Sequence, residues 1–407
     1  MPTKITIGIC GFAIAAVALC AGPAAAQISD SVIRIGVLTD QSGLSADVTG
    51  KGSIEAAKMA VEQMGNAING TRIEVIEADT QNKPDVGASI ARRWYSQENV
   101  DVIVDVPISS VALAVQSVAR EQNKMVLFST PASDALTGKE CSPLSAMWTY
   151  SGYALGKVVA TAVVKEGGDS WFFVTADYAG GMALENGARS IAEANGAKVL
   201  GAVRHPQNTS DFSSFLLQAQ SSGAKVIALA NAGNDMINAI KQAQEYQLDS
   251  KGQRVVSLLL YLSDVHGLGL KAAQNLMVPT AFYWDLNDKS RAWSKTFYER
   301  TGRMPTDVQA GVGSAVGHYL KGIKATGTDD PSKVMAWMKS NPVDDFFTQG
   351  GVIRADGQMI HDMYLGKVKT PDASTKPWDY MSILQTVPGA DAFRPLDQSQ
   401  CPLVNKK

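Results

Sequence analysis

Gln81-Asn82-Lys83-Pro84-Asp85, a helix-like run and then Asp101-Val-Ile-Val-Asp-Val106 form one stretch of this chain; 126 residues further on, Gln207-Asn208-Thr209-Ser210-Asp211, a similar run and Lys225-Val-Ile-Ala-Leu-Ala230 form another. The pentads alone carry little weight, because Asn and Asp are ordinary turn and helix-starting residues. The strands that follow carry more. Val102-Ile-Val and Val226-Ile-Ala-Leu are short β-branched runs without polar alternation, the pattern of strands covered on both faces in a parallel sheet. A loop, helix and buried strand built twice predicts two similar lobes, with a crevice between them in which a small molecule can be held.

Outward from these stretches, strand-like and helix-like segments alternate: Val32 to Leu38, a helix from about Gly52 to Met64, Arg72 to Ala78, a helix after Pro84, Val102 to Val106, a helix from Ser110, and Met125 to Ser129. A second series runs through Trp171 to Thr175, Lys198 to Val203, Val226 to Ala230 and Val255 to Tyr261. This βαβ alternation predicts an α/β fold of two doubly wound parallel-sheet lobes. Met147 to Ser151 carries the chain into the second lobe, Pro279 to Trp284 returns it before the helices at Ser290 to Arg300 and Val308 to Thr326, and a third passage is expected near Asn341 to Phe347. Three crossings make a hinge suited to bending closure. The expected lobes are 27–147 with 281–344, and 148–280 with 345–407. The tail reads as a small β unit, Val352 to Arg354, a turn at Ala355-Asp356-Gly357 and Met363 to Val368, followed by a Pro-rich surface segment.

The N-terminus holds Lys4, an apolar run from Ile5 to Ala21 and Ala24-Ala25-Ala26, which fits a signal peptide over 1–26 cleaved before Gln27. The run is shorter than a spanning helix needs and Gly22-Pro23 interrupts it. Leu19 stands before Cys20 where a lipoprotein signal needs a small residue. Removal of the leader leaves 36 basic against 39 acidic residues, a charge of −3, with nothing to attract nucleic acid or a membrane surface. About 380 residues exceed one comfortable core, so two lobes are expected on length as well. Of the four cysteines only Cys141 and Cys401 remain; in an oxidising compartment they form one disulfide, the alternative being two free buried thiols. Neither has a histidine or second cysteine at metal spacing.

The ordered pieces Ile35-Gly36-Val37-Leu38 with Ser42-Gly43, Ile108-Ser109-Ser110, Ser129-Thr130-Pro131-Ala132-Ser133, Ala176-Asp177-Tyr178 with Gly180-Gly181, Asp211-Phe212-Ser213 and His361-Asp362-Met363-Tyr364 resemble the type I periplasmic solute-binding proteins of ABC importers, in particular the branched-chain amino-acid (Leu/Ile/Val) receptor group. The resemblance spans essentially the whole mature chain. It implies two α/β lobes with three crossovers, a ligand enclosed between them, a periplasmic location, membrane permease subunits as partners, a monomer, and no cofactor, metal or nucleic acid.

In open α/β sheets ligands lie beyond the carboxyl ends of strands, where helix N-termini present unpaired N–H groups. Hydroxyls and amides of Ser109-Ser110 and of Ala132-Ser133 can bind a carboxylate without a formal cation, and the resemblance implies that these loops do so. Ser110 can equally be a plain helix cap and Ser133 a turn residue. By the same resemblance Tyr178 lies against the ligand, the alternative being a packing role, and Asp235, beside Asn234, falls near an acid that pairs with an α-ammonium group; alternatively Asp235 stabilises the first turn of its own helix. Ser45-Ala46-Asp47-Val48 lacks the aromatic wall of many amino-acid receptors, so the apolar wall comes from elsewhere. Met147-Trp148-Thr149-Tyr150 and Phe282-Tyr283-Trp284 place rings, including Tyr150 and Tyr283, near the crossovers, either to pack the hinge or to favour a planar ligand. A branched-chain-type amino acid is the first expectation; an aromatic carboxylate of the benzoate or hydroxycinnamate type, or a sensor domain of the same fold, is the alternative.

Enzyme motifs are missing. His205, His266, His318 and His361 stand alone. Gly311-Val-Gly-Ser-Ala-Val-Gly317 misses the spacing of both a nucleotide loop and a nucleophile elbow and falls in a helix-like run, so it reads as small residues for close packing. No P-loop is present, as expected if a separate subunit hydrolyses ATP.

Overall fold

Short all-buried strands such as Val102–Asp105 and Val226–Ala230 can only sit inside a sheet with helices on both faces, and the computed structural model, which describes residues 1–4, 28–249 and 252–404, places them so. The leader expected over 1–26 lies almost wholly outside the described residues. The first sheet is built from β1 (Val32–Thr39), β2 (Ala67–Ile68), β3 (Thr71–Asp79), β4 (Val102–Asp105), β5 (Met125–Phe128) and β6 (Ser145–Met147), in the order β2-β3-β1-β4-β5-β6. All neighbours are parallel except the β2–β3 hairpin, whose Asn69-Gly70 turn has φ of 52° and 86°. The second sheet holds β7 (Ser170–Ala176), β8 (Lys198–His205), β9 (Val226–Ala230) and β10 (Arg254–Ser257) in the parallel order β10-β9-β7-β8.

Among the parallel strands of each sheet the first is flanked by the second and third, β1 by β3 and β4 and β7 by β8 and β9, so strand order reverses at β1 and again at β7. These are the switch points outside which doubly wound sheets bind ligands. The two pentads occupy equivalent places, each leading into the helix between the second and third strands: α2 (Pro84–Ser96) follows α1 (Gly50–Gln63), and α6 (Ser213–Ser221) follows α3 (Ser109–Glu121), α4 (Gly152–Lys165) and α5 (Ala179–Ala194). Side chains alternate across the first sheet. Ile33, Ile35, Val37, Val102, Val104, Met125 and Leu127 join the core beneath α1, whereas Ile103, Val126 and Phe128 join a second cluster with α2 and α3. In the second lobe α4 and α5 touch backbone to backbone: a Cβ at Gly156 would stand 2.4 Å from the Ala188 nitrogen, and one at Gly187 2.2 Å from the Gly152 oxygen.

Four helices, α7 (Asn234–Glu245), α8 (Leu262–Leu268), α9 (Leu270–Ala273) and α10 (Asp288–Thr301), precede the long α11 (Asp307–Thr326) and α12 (Pro331–Ser340). The Gly311-to-Gly317 run lies inside α11, where Gly311 meets Thr149 and Gly313 meets Trp293. The tail differs from the sequence expectation. β12 (Val352–Ile353) pairs with β13 (Met359–Ile360), while β14 (Met363–Val368) lies antiparallel between β11 (Met277–Thr280) and β15 (Met381–Val387). The strand β15 escaped notice because Ser382, Leu384, Gln385 and Thr386 on it are exposed, leaving no apolar run to read. The hairpin stays beside β6 through a Met147–Gln358 bridge and the Gln358 amide bond to the Met147 carbonyl, 3.3 Å.

Cys141 and Cys401 are bonded across 260 residues, with Cα atoms 5.6 Å apart. Closing so long a loop restricts the unfolded chain strongly. A Cys141→Ser/Cys401→Ser protein is expected to lose about 3 kcal/mol of unfolding free energy in urea titrations. Ligand affinity is expected to stay unchanged; unchanged stability would mean that the tail is held by its packing alone.

Candidate functional site

The loop after β4 leads directly into α3, which begins at Ser109, one residue before the expected start. Its N-cap is Ile108, with no side chain bonding the first-turn amides, so Ser109 and Ser110 sit in the first turn and neither caps it. The β5 loop is tied to this turn by the Ala132 N–H donating to Ser109 Oγ at 3.2 Å, and to α4 by Gly152 N–H donating to the Ala132 carbonyl at 2.7 Å. Ser109, Ala132 and Ser133 are buried. The two expected carboxylate loops are therefore one continuous surface of amides and hydroxyls on the first lobe.

Opposite them stand residues of the second lobe. Tyr178 is the N-cap of α5 and folds over its own helix, where a Cβ at Gly180 would lie 2.5 Å from the ring; its ring packs against the first-lobe cluster. Burial, reinforced by the charge of Asp235, pushes its phenol up to about 12, so it stays a hydrogen-bond donor at neutral pH. Asp235 lies in the first turn of α7 yet does not bond that turn. Its Oδ2 accepts from Asn208 N–H at 3.2 Å, while Oδ1 is buried without a partner in a residue only 3% exposed. Burial pushes its carboxyl up to about 6. Asn234, its neighbour, is exposed.

The crossover residue Tyr150 joins both walls. Its hydroxyl donates to the Thr130 carbonyl, 2.9 Å, and lies 2.6 Å from the Tyr261 hydroxyl. Tyr283 sits elsewhere: its hydroxyl bonds the Trp378 carbonyl and the Met381 N–H, in the packing of β15. Phe282 stacks on Phe347, centroids 5.8 Å apart, so the return strand's rings build the hinge. Tyr261 was missed because Leu258-Leu-Leu reads as a continuation of β10; the strand ends at Ser257, and Tyr261 stands beyond its carboxyl end, where a ligand-facing residue belongs. Asp105, Asn231 and Asp307 also went unread, each at the end of a strand or the start of a helix. Asn231 donates to His205 Nε2 at 3.1 Å, and its Oδ1 is buried without a partner. Burial raises the carboxyls of Asp105 and Asp307 to about 6 and of Asp264 to about 7.

The lobes touch across this cleft. A Cβ on Gly233 would stand 2.6 Å from the Leu44 carbonyl of the first lobe. At the margin a cavity of about 590 Å³ is lined by Ala46, Lys51, Arg300, Arg303, Ser263 and Trp378, among others. Its guanidiniums are already engaged, Arg300 with Glu55 and Glu62 and Arg303 with Asp47, so it is a poorer carboxylate site than the loops. Trp378 and the small Ala46 both line it.

Two lobes with 2-1-3-4 strand order, a hinge between them and polar groups converging from both walls define a solute-binding protein that closes on its ligand. The family model described as periplasmic binding protein matches residues 32–375, and the chain belongs to that family, which comprises transport components and not a class of enzymes. A periplasmic binding protein from Burkholderia mallei is similar at 46% identity, covering 92% of this chain and 99% of its own, with a TM-score of 0.90. A branched chain amino acid ABC transporter periplasmic ligand-binding protein from Burkholderia xenovorans shares 38% identity over 92% of this chain and all of its own, TM-score 0.83. The Leu/Ile/Val-binding protein homolog 6 of Brucella melitensis is 24% identical over 377 residues, 89% of this chain and 94% of its own. The chain is thus a solute-binding component of an ABC importer.

Proposed function

We propose that the protein captures a free amino acid of the branched-chain type and presents its closed form to membrane permease subunits. The observation that carries this reading is Asp235, whose Oδ1 is buried and unpartnered and which forms no ion pair with a Lys or Arg among the described residues. An α-ammonium group supplies the missing donor and charge. The ligand carboxylate lies on Ser109-Ser110 and Ala132-Ser133, and Tyr150, Tyr178 and Tyr261 enclose it. Tyr283 and Asn234 serve packing and the helix surface instead. The protein works as an exported monomer, processed before Gln27, and releases its ligand unchanged. Lobe limits of 27–147 with 281–344 and 148–280 with 345–407 suit this scheme, and the Met147–Gln358 bridge supports moving the last limit to about residue 360.

An aromatic carboxylate is the second reading, favoured by the three phenols around the cleft. Thermal-shift measurements with L-leucine, L-isoleucine and L-valine against benzoate and 4-hydroxybenzoate separate the two. A ligand at a hundred times its Kd stabilises by about 2.7 kcal/mol, a shift of several degrees. Stabilisation by an amino acid is expected; stabilisation by the benzoates with none by amino acids overturns the assignment of Asp235.

A further inference from the structure

Asp105, the last residue of β4, and Val106 just after it adopt a backbone conformation that side chains avoid, with φ of 79° and 55°. For β-branched Val106 a positive φ is a genuine outlier, and two such residues in succession cost free energy that the surroundings must offset. The surroundings here are specific. Asp105 is fully buried, and its two carboxylate oxygens are divided between the lobe's first and fourth parallel strands: Thr39 Oγ1, at the end of β1, donates to Oδ2 at 2.8 Å, and Thr130 Oγ1, just past β5, donates to Oδ1 in a short bond. The Val106 N–H donates to the Leu38 carbonyl at 2.9 Å, and the Asp105 carbonyl accepts from Ser129 N–H at 3.3 Å. Thr130 is the first residue of the Thr130-to-Ser133 loop, and its own carbonyl receives the Tyr150 hydroxyl, which meets Tyr261 of the second lobe.

We infer that Asp105 is a positioning residue for ligand capture: its buried carboxylate holds the left-handed Asp105-Val106 turn in place and thereby fixes the Ile108–Ser110 and Thr130–Ser133 loops in the mutual register that a carboxylate ligand requires. This rests on the assignment of those loops to the ligand carboxylate. Three links lead from the side chain to the cleft. The turn sets where α3 begins, and so where the Ser109 and Ser110 amides point. The Thr130 bond sets the second loop. The Ala132-to-Ser109 bond then closes the two into one surface. Glycine would tolerate the turn at less strain but could not tie β1 to the Thr130 loop, which is why an aspartate in this conformation speaks for positioning and not for backbone freedom alone.

Two variants separate positioning from simple stability. Asp105→Gly relieves strain while losing both anchors, so its unliganded melting temperature stays within a few degrees of the native value, whereas its affinity for the carboxylate ligand found among L-leucine and benzoate falls about thirtyfold. Asp105→Asn keeps one acceptor and recovers most of that loss. Thr130→Val weakens binding similarly, and adding it to Asp105→Gly costs little more, the non-additivity of residues acting through one contact. Independently of any ligand, hydrogen exchange of the unliganded Asp105→Gly protein should accelerate in peptides covering 107–113 and 129–136 and nowhere else in the first lobe. Unchanged exchange in those peptides overturns the inference, as does native affinity in Asp105→Gly. Accelerated exchange without binding of either probe by the native protein would sustain the positioning role and sink the ligand assignment.

Discussion

Replacing Asp235 with asparagine is expected to lower the affinity for L-leucine by two to three orders of magnitude in isothermal titration while leaving the unliganded fold as stable as before, or slightly more so. The size follows from the site. Truncating one member of a buried, hydrogen-bonded charge pair typically costs about 3–4 kcal/mol, mostly because the other charge stays buried unpaired. Before ligand arrives the unpaired charge is Asp235's own, and the native protein carries that cost alone. Its folded carboxyl titrates at about 6, above the ordinary 3.8, because burial disfavours the anion. The stabilisation from the protonated carboxyl is therefore fully present below about pH 4 and lost as the pH rises through 6. At pH 8 the asparagine variant, which cannot ionise, should melt no lower than the native protein.

The same carboxyl distinguishes the ligand classes without mutation. An ammonium group placed against Asp235 pulls its pKa back down, so an amino acid binding near pH 6 releases protons to the buffer. A benzoate, bringing a second anion into the cleft, takes protons up. Titrations in buffers of different ionisation enthalpy read the sign directly. Proton uptake with L-leucine would contradict contact between the ammonium group and Asp235.

Most of the fold could be read in the sequence because β-branched runs and βαβ alternation report burial on both faces, and burial is what a parallel sheet imposes. The two pentads proved to be topological equivalents. They are also less remote from the site than turn-forming residues need be: the Asn208 amide bonds Asp235, and the Asn82 side chain bonds Asp40 in the loop after β1. What escaped reading shares a cause. Tyr261 stood in an apolar run that masked a strand end, β15 presents exposed polar residues, and Asp105 occupies a strand position where a buried acid has meaning only once Thr39 and Thr130 stand beside it. Residues 66 and 25 positions away in the chain supply those bonds, and no local pattern announces them. Tyr283 illustrates the converse, since a ring near a crossover has no direction until the packing around it is known.

Gly233→Val is expected to abolish capture while sparing the fold. Gly233 precedes α7 with φ 58° and ψ −137°, a conformation open essentially to glycine, so valine there costs about 1–3 kcal/mol even in the unliganded protein. The larger effect is on closure. The added Cβ would lie 2.6 Å from the Leu44 carbonyl, a backbone atom of the opposite lobe that cannot swing aside as a side chain would. The lobes can relieve that overlap only by opening, which separates Asp235 and Tyr178 from the carboxylate loops. A ligand shifts a conformational equilibrium only by its differential affinity for the two states, and contact with one lobe alone supplies little of that difference. Affinity should fall by about 4 kcal/mol, roughly a thousandfold. Scattering measurements at saturating ligand should then show the native protein contracting and the variant keeping its unliganded radius of gyration. Contraction of the variant, or affinity within tenfold of native, would mean that the Leu44–Gly233 contact yields more readily than a backbone-to-backbone approach should, and that closure is governed by the Tyr150–Tyr261 pair at the hinge.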